Sequence, residues 1–274
     1  MNKPFLKWAG SKRKIVNIIK DNVGVVNGRF IEPFVGSGVV FLNIVADEYI
    51  LADLNPDLIN LFRTIQIEGD DFIKFTKRFF VNTNNEKSFY DYRILFNETT
   101  DLYVKSALFI YLNRHAFNGL CRYNLSNRFN VPYGRYETVY FPEEELKYFA
   151  DNTKRCTFLN LDFRETVYFA GPEDVVYSDP PYAPISKTSN FNTYCGGGFN
   201  LEDQQALVAE AEKADCKFLI SNNLTDFTVD LYKNADRIIE LDVQKSISGK
   251  SEGRQKTKEV LVIYNKHLTE GVKK

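Results

Sequence analysis

Between Arg29 and Ala52 the apolar residues fall in two short runs, and each run ends at an acid. Phe30 and Ile31 lead into Glu32, and Tyr49 to Ala52 stop at Asp53. Runs this short, bounded by Gly, Pro and acidic residues, predict strands. Between them the spacing of Val39 to Ala46 predicts a helix, and Asn55-Pro56 opens another, with Leu58, Ile59 and Phe62 on one face. The chain therefore begins in a βαβ rhythm.

The rhythm then changes. Asp70 to Phe80, Lys87 to Asn97 and Asp101 to Asn113 all carry helical spacing, separated by polar linkers such as Asn82 to Glu86. Cys121 to Tyr123 and Arg128 to Val131 flank the polar stretch Asn124-Leu125-Ser126-Asn127, which suits the turn of a β-hairpin. Strand patterns return at Cys156 to Asn160, Val175 to Ser178, Lys217 to Ser221, Arg237 to Leu241 and Glu259 to Tyr264. Helices are expected over Leu201 to Ala214 and Thr225 to Ala235, the first opened by a capping box from Asn200 to Asp203. Alternation of this kind predicts an α/β fold, a doubly wound and mostly parallel sheet, with a smaller helical insert carrying the hairpin. The expected division is 1–55 with 145–274 as one domain and 56–144 as the other.

Composition narrows the function. Thirty-five Lys and Arg oppose 36 Asp and Glu, for a net charge of -1, so no global field draws the protein to nucleic acid and any basic surface is local. The charge-free stretch Pro33 to Ala46 is too short and too Gly-broken to span a bilayer. Cys121, Cys156, Cys195 and Cys216 stand far apart and only two His are present, which disfavours a disulfide framework or a Cys/His zinc site. A reduced, cytoplasmic setting without a metal is expected. The absence of a GxxxxGK[ST] loop and of a GxSxG elbow argues against nucleotide hydrolysis and α/β-hydrolase chemistry.

Ser178-Asp179-Pro180-Pro181-Tyr182 is the sharpest chemical signal. It follows an apolar strand, and in an open α/β sheet the strand's carboxyl end faces the ligand crevice. Two prolines remove two backbone donors and fix φ, leaving stiff acceptors beside an aromatic face. Such a cluster suits a planar substrate with an exocyclic amine, its N–H groups accepted by Asp179 and the Pro180 carbonyl and its ring stacked on Tyr182. A Pro-Pro turn that merely ends the strand is the plainer reading. Upstream, Glu32-Pro33-Phe34-Val35-Gly36-Ser37-Gly38 lacks the third small residue of a dinucleotide fingerprint, since Phe41 stands there. Asp53 closes the next strand where doubly wound folds place an acid on ribose hydroxyls, so a nucleoside cofactor without pyrophosphate fits both features.

Basic residues gather in three places. Lys7, Lys12, Arg13 and Lys14 surround the only Trp, Trp8, with no acid between Phe5 and Lys14. From Arg114 to Arg135 there are four Arg, no acid, and the aromatics Phe117, Tyr123, Phe129 and Tyr133, the pattern of a nucleic-acid surface or of a basic loop pairing with acids elsewhere in the molecule. Lys245 to Lys258 holds five cations against Glu252, with Gly249 and Gly253, and reads as a mobile phosphate-gripping loop.

Taken in order, FLKWAGSK, EPFVGSG, LADLN, NGLCRYN, FNVPYGRY, SDPPYAPIS, ISN and KSIS resemble the motifs of the Dam-type DNA adenine N6-methyltransferases, of the D12 class, from about Phe5 to Tyr264. The resemblance implies a Rossmann-like methyltransferase core, S-adenosylmethionine as cofactor, and a flipped adenine in duplex GATC as methyl acceptor. It further implies cofactor contacts from Trp8, Lys12, Phe34, Gly36, Gly38, Asp53, Asp162 and Asp179, and catalysis by Asp179, Pro180, Pro181 and Tyr182. DNA contacts are implied for Lys7, Arg93, Phe117, Leu120, Arg122, Asn124, Asn130, Pro132 and Arg135. Arg122 is nominated to read guanine, because an Arg on a hairpin can bond O6 and N7 together in the major groove. The resemblance is not extended to His115-Ala116. Two other classes stay open on the sequence: a non-catalytic DNA-binding regulator with a vestigial cofactor pocket, and a same-fold methyltransferase acting on RNA or a protein amide.

Overall fold

The computed structural model describes residues 1–182, 198–244 and 256–265. Gly196-Gly197-Gly198 reads in the sequence as a flexible loop, and its first two residues lie outside the described residues, as do residues 245–255 of the expected phosphate-gripping loop, whereas Lys256 to Lys258 already belong to the last strand.

A seven-stranded sheet organises the chain. Its strands are β1 (Arg29–Glu32), β2 (Glu48–Ala52), β3 (Cys156–Leu159), β4 (Val175–Ser178), β5 (Lys217–Asn223), β6 (Arg237–Gln244) and β7 (Lys256–Tyr264), in the order β3-β2-β1-β4-β5-β7-β6. The pairs β1–β2, β2–β3, β1–β4 and β4–β5 are parallel, and β7 runs antiparallel between β5 and β6. The order reverses between β1 and β4, which opens a crevice at their carboxyl ends.

The two-residue repeat of a strand sorts the core into two layers. Phe30, Tyr49, Leu51, Val175, Tyr177 and Leu219 join one buried cluster, and Ile31, Ile50, Val176, Phe218 and Ile220 join the other. Both faces are therefore covered by helices, as a parallel sheet requires. The first face takes α1 (Val16–Val23), α2 (Pro56–Lys77), α3 (Glu86–Glu98), α4 (Leu102–His115) and α5 (Glu143–Asn152). The second takes α6 (Phe163–Val167), α7 (Leu201–Lys213) and α8 (Asp226–Leu231), followed by the buried Tyr232.

Helix starts follow side-chain chemistry. Asn55 caps α2 by accepting from Asp57 N and Leu58 N, with Pro56 at the first position, and a cap of this kind contributes about 1 kcal/mol. The capping box of α7 forms as predicted, Asn200 and Asp203 exchanging side-chain-to-backbone bonds.

Three expectations need correction. Val39 to Ala46 does not form an α-helix; Phe41–Asn43 makes one 3-10 turn, because the Phe41 N–H is taken by the buried Glu32 carboxyl and the segment tucks its apolar side chains into the core. The separate helices expected around Leu58 and over Asp70 to Phe80 join into α2, bent at Gly69, whose φ of 50° only Gly adopts cheaply. The hairpin after α4 is a turn with two isolated bridges, Ala116 to Tyr133 at its base and Tyr123 to Phe129, the latter flanked by Asn124 N to Arg128 O and Asn130 N to Arg122 O, and extended strands do not develop. Helices α1, α5 and α6 had no counterpart in the sequence reading.

Candidate active site

The catalytic candidates sit at the carboxyl end of β4, across the switch point from the glycine loop that follows β1. Lys12 Nζ lies 2.8 Å from Asp179 Oδ1, with the lysine almost wholly buried. The same ammonium donates to the Gly10 carbonyl at 2.8 Å and stands 4.6 Å from the centre of the Tyr182 ring. One cation thus engages a carboxylate, a carbonyl and a π face, and two of the three, Asp179 and Tyr182, belong to the set expected to receive an exocyclic amine. Burial pushes the Asp179 carboxyl above its ordinary range, Lys12 pulls it down, and the like charge of Glu259 pushes it up again.

The two proline carbonyls differ. Gln204 Nε2 donates to Pro181 O at 2.8 Å, and the Gln204 carbonyl is in turn held by Asn222 Nδ2, which also bonds the Tyr232 hydroxyl. Pro181 is thereby anchored to α7 and β5. Tyr182 donates its hydroxyl to Glu259 Oε2 at 2.8 Å. Gln204, Asn222 and Glu259 were missed in the sequence, where a Gln inside a helix and an acid opening an apolar strand carry no local mark.

The glycine loop is shaped by its neighbours. Gly36 has φ 47°, and a Cβ there would come 2.8 Å from Trp8 Nε1, so Trp8 packs directly on this backbone. Gly38 has φ 76°, and a Cβ there would run into the ring of Phe41, the large residue that stands where a dinucleotide fingerprint needs a small one. Asp53 reaches back from β2: its Oδ2 accepts from Gly36 N at 3.1 Å and its Oδ1 from Asn55 N at 2.9 Å. Burial raises the Asp53 carboxyl and these two N–H groups lower it. Each carboxylate oxygen keeps further lone-pair capacity. Phe34 stacks on Phe163 at 5.7 Å and meets Phe199 edge-on at 5.5 Å, forming an aromatic cluster beside the loop. Asp162 caps α6 and pairs with Arg164, which also bonds Asp203 at 2.6 Å, so the Asp162 carboxylate has structural partners already.

The basic candidates are distributed around α3, α4 and the turn. Lys7 N and O pair with the Asn113 side chain, and Lys7 Nζ reaches Arg114 O at 3.4 Å and the Tyr136 ring at 4.3 Å. Desolvation lowers the Lys7 pKa, and Arg114 adds to it. Arg122 is exposed, and its Nε donates to Asn130 Oδ1 at 2.8 Å across the turn. Asn124 Oδ1 accepts from Ser126 N and Arg128 N, so this oxygen shapes the turn itself. Arg93 donates to Val131 O at 3.0 Å and lies over Tyr90. Arg135 reaches Glu86 and Arg128 reaches Glu98, each at 3.5 Å, both surface pairs of little energetic weight. Phe117 is half exposed, with its N–H on the carbonyl of the exposed Pro132, and Leu120 packs partly on the core. Arg122 pairs with Asn130 across the turn and Phe117 with Pro132 just outside it, whereas Lys7 and Arg93 are more enclosed by protein partners.

Among the described residues no helix is long and apolar enough to cross a membrane. A family model described as D12 class N6 adenine-specific DNA methyltransferase matches residues 8–247. The chain is 44% identical over 270 residues to the DNA adenine methylase of Vibrio cholerae serotype O1, covering 97% of each. It is 44% identical over 269 residues to that of Haemophilus influenzae, covering 96% of this chain and 94% of the relative. Against the DNA adenine methylase of Escherichia coli strain K12 the identity is 40% over 278 residues, covering 100% and 99%.

Proposed function

The chain belongs to the D12 class N6 adenine-specific DNA methyltransferases, and we propose from that premise that it takes its methyl group from S-adenosylmethionine and acts on adenine in GATC. The observation that supports this most is the meeting of Lys12, Asp179 and Tyr182 beside the loop tied to Asp53. The donor set fits the cofactor. Asp53 offers oxygen acceptors to ribose hydroxyls, the Phe34–Phe163–Phe199 cluster offers a surface to a purine, and Asp179 supplies negative charge near a sulfonium. When bound, S-adenosylmethionine supplies an electrophilic methyl carbon.

The chain's own residues account for the rest. Duplex DNA hides adenine N6, so the base must leave the stack at a cost of a few kcal/mol. Tyr182 returns part of that by stacking, about 1–3 kcal/mol. Asp179 and the Pro180 carbonyl hold the two N–H bonds of the amine, which favours a pyramidal nitrogen with its lone pair free. Lys12 holds one of these acceptors, Asp179 Oδ1, and that oxygen passes to the amine as the ammonium withdraws. Alignment of nitrogen with the methyl carbon carries most of the acceleration, since well-oriented reactants can lose roughly 7–11 kcal/mol of barrier. Residues 56–144 form the unit that reads DNA, with Arg122 on guanine, and 1–55 with 145–274 the catalytic unit. The setting is the cytoplasm, where bacterial DNA lies.

Incubating a plasmid with labelled S-adenosylmethionine and mapping modified adenines by sequencing tests the proposal. Label confined to N6 of adenine in GATC is the expected result; label at other sequences removes GATC, and no label on DNA removes the reading.

A further inference from the structure

Glu259 opens the core-facing part of β7, opposite Asn223 of β5 and Leu241 of β6, and is 7% exposed. A buried carboxyl in a sheet costs free energy unless bonded, and this one lies close enough to Asp179 for their like charges to interact. Stability alone would favour an apolar residue here. Its bond in the described structure is to the Tyr182 hydroxyl, at 2.8 Å.

Among the described residues, Tyr182 is otherwise held at its root. Pro180 and Pro181 stiffen the backbone before it, and Gln204 pins the Pro181 carbonyl, but the ring can still turn about its two side-chain torsions. Lys12 stands over the ring face at 4.6 Å, away from the hydroxyl. The hydroxyl is the far end of the lever, and fixing it fixes the ring plane.

We infer that Glu259 is a positioning residue for methyl transfer, holding the Tyr182 ring at the tilt that sets an extruded base against the Asp179 and Pro180 acceptors. The inference rests on the proposed stacking role of Tyr182. Glu259 touches neither base nor methyl donor and acts through the phenol. Its length matters as well as its oxygen, so Gln, which can accept the same bond, substitutes for it and Ala does not.

The test uses the full chain, labelled S-adenosylmethionine and a duplex with one target site, under single turnover, together with 2-aminopurine fluorescence at the target position. Glu259→Gln is expected to stay within about threefold of wild type, and Glu259→Ala to fall about tenfold or more with less than about a twofold change in DNA KM. The aminopurine signal of the Ala variant should show a base less quenched by the ring. Tyr182→Phe, which keeps the ring and removes the hydroxyl, should fall by a similar factor, and the Ala/Phe double variant no further than either single, because both remove one bond. A Glu259→Ala enzyme at the wild-type rate, or losses that multiply in the double variant, overturns the inference. Should the Ala variant fail to fold, Tyr182→Phe decides: a wild-type rate overturns the inference and a tenfold loss upholds it. Wild-type protein that methylates no adenine would instead sink the proposed function, a result these variants cannot produce.

Discussion

Lys12 Nζ and Asp179 Oδ1 stand 2.8 Å apart, linking the segment before α1 to the end of β4 across the switch point of the sheet. The pair joins two motifs separated by most of the chain and places a carboxylate acceptor where an amine can replace the lysine. Removing the carboxylate should therefore strike chemistry more than binding. Asp179→Ala is expected to lower methyl transfer by roughly a hundredfold or more, the scale of losing one oriented polar group in an active site. Duplex affinity in a fluorescence anisotropy titration should hold within a few-fold. Full turnover by the variant removes Asp179 from its role.

The same pair sets a pH dependence. Ionised Asp179 is the stronger acceptor and the form that carries negative charge, so activity is present above its pKa and lost as pH falls through it. Burial already raises that pKa, and Lys12 is the counterweight. Lys12→Met should move the acidic limb of kcat/KM to higher pH, measured at saturating cofactor. A limb that stays in place, or moves down, shows that another group controls it.

Gly36 provides a test of the loop. Ala there meets both a positive φ of 47° and the Trp8 indole 2.8 Å away. The backbone term alone costs about 1–2 kcal/mol. Because the Gly36 N–H also holds Asp53, calorimetric affinity for S-adenosylmethionine should fall together with the melting temperature. Gly171 is the control, with ordinary φ and only Asp174 Oδ2 nearby at 3.7 Å, so Gly171→Ala should change neither. Equal behaviour of the two variants would show that the loop tolerates a side chain.

Legibility of the molecule in its sequence followed the range of each interaction. Strands β1 to β5 and β7 were readable because largely buried runs of four to nine residues bounded by turn formers have few alternatives, whereas β6, with Ile238 exposed and Leu241 buried, was readable from its apolar and β-branched residues. The 3-10 turn at Phe41 was not readable, since it depends on Glu32, nine residues away, claiming a backbone N–H. At the site, the local motif at Asp179 and the acid at Asp53 stood out. Glu259 did not, because its partner Tyr182 lies 77 positions back along the chain and only the strand order brings them together. Asn124 and Asp162 illustrate the converse: their residue types suggest ligands, while much of their bonding capacity goes to a turn and a helix cap.

Arg122 and Asn130 offer a paired prediction on specificity. The Asn130 carbonyl oxygen takes Arg122 Nε at 2.8 Å and orients the guanidinium on an exposed turn. Arg122→Ala should cost about 1–3 kcal/mol of discrimination at one base pair, with a smaller effect on altered sites. Asn130→Ala should give a partial form of the same change, because the Arg stays but loses its brace. Methylation rates on cognate and singly altered duplexes separate this from a phosphate contact, whose loss would weaken all sites uniformly.

His115 carries a prediction about stability. It is buried, stacked on Tyr111 at 3.8 Å, and its Nδ1 bonds the Tyr111 carbonyl at 2.8 Å. Burial, with Lys7 and Arg114 nearby, lowers its pKa to about 4 from the ordinary 6.5. The unfolded chain then binds a proton between these values that the folded chain refuses. Stability from this residue is fully present above pH 6.5, falls on acidification, and levels off below about pH 4. The gap of about 2.5 units corresponds to roughly 3 kcal/mol. Buried acids raised in the folded state, such as Glu32, push the other way, so the contribution is isolated by difference. Urea unfolding at pH 7.5 and pH 4.5 should show His115→Gln losing less stability on acidification than wild type. Identical pH slopes for the two proteins would mean that the imidazole is protonated in the fold as readily as in solution, and that the Lys7–Arg114–Tyr111 surroundings do not exclude charge.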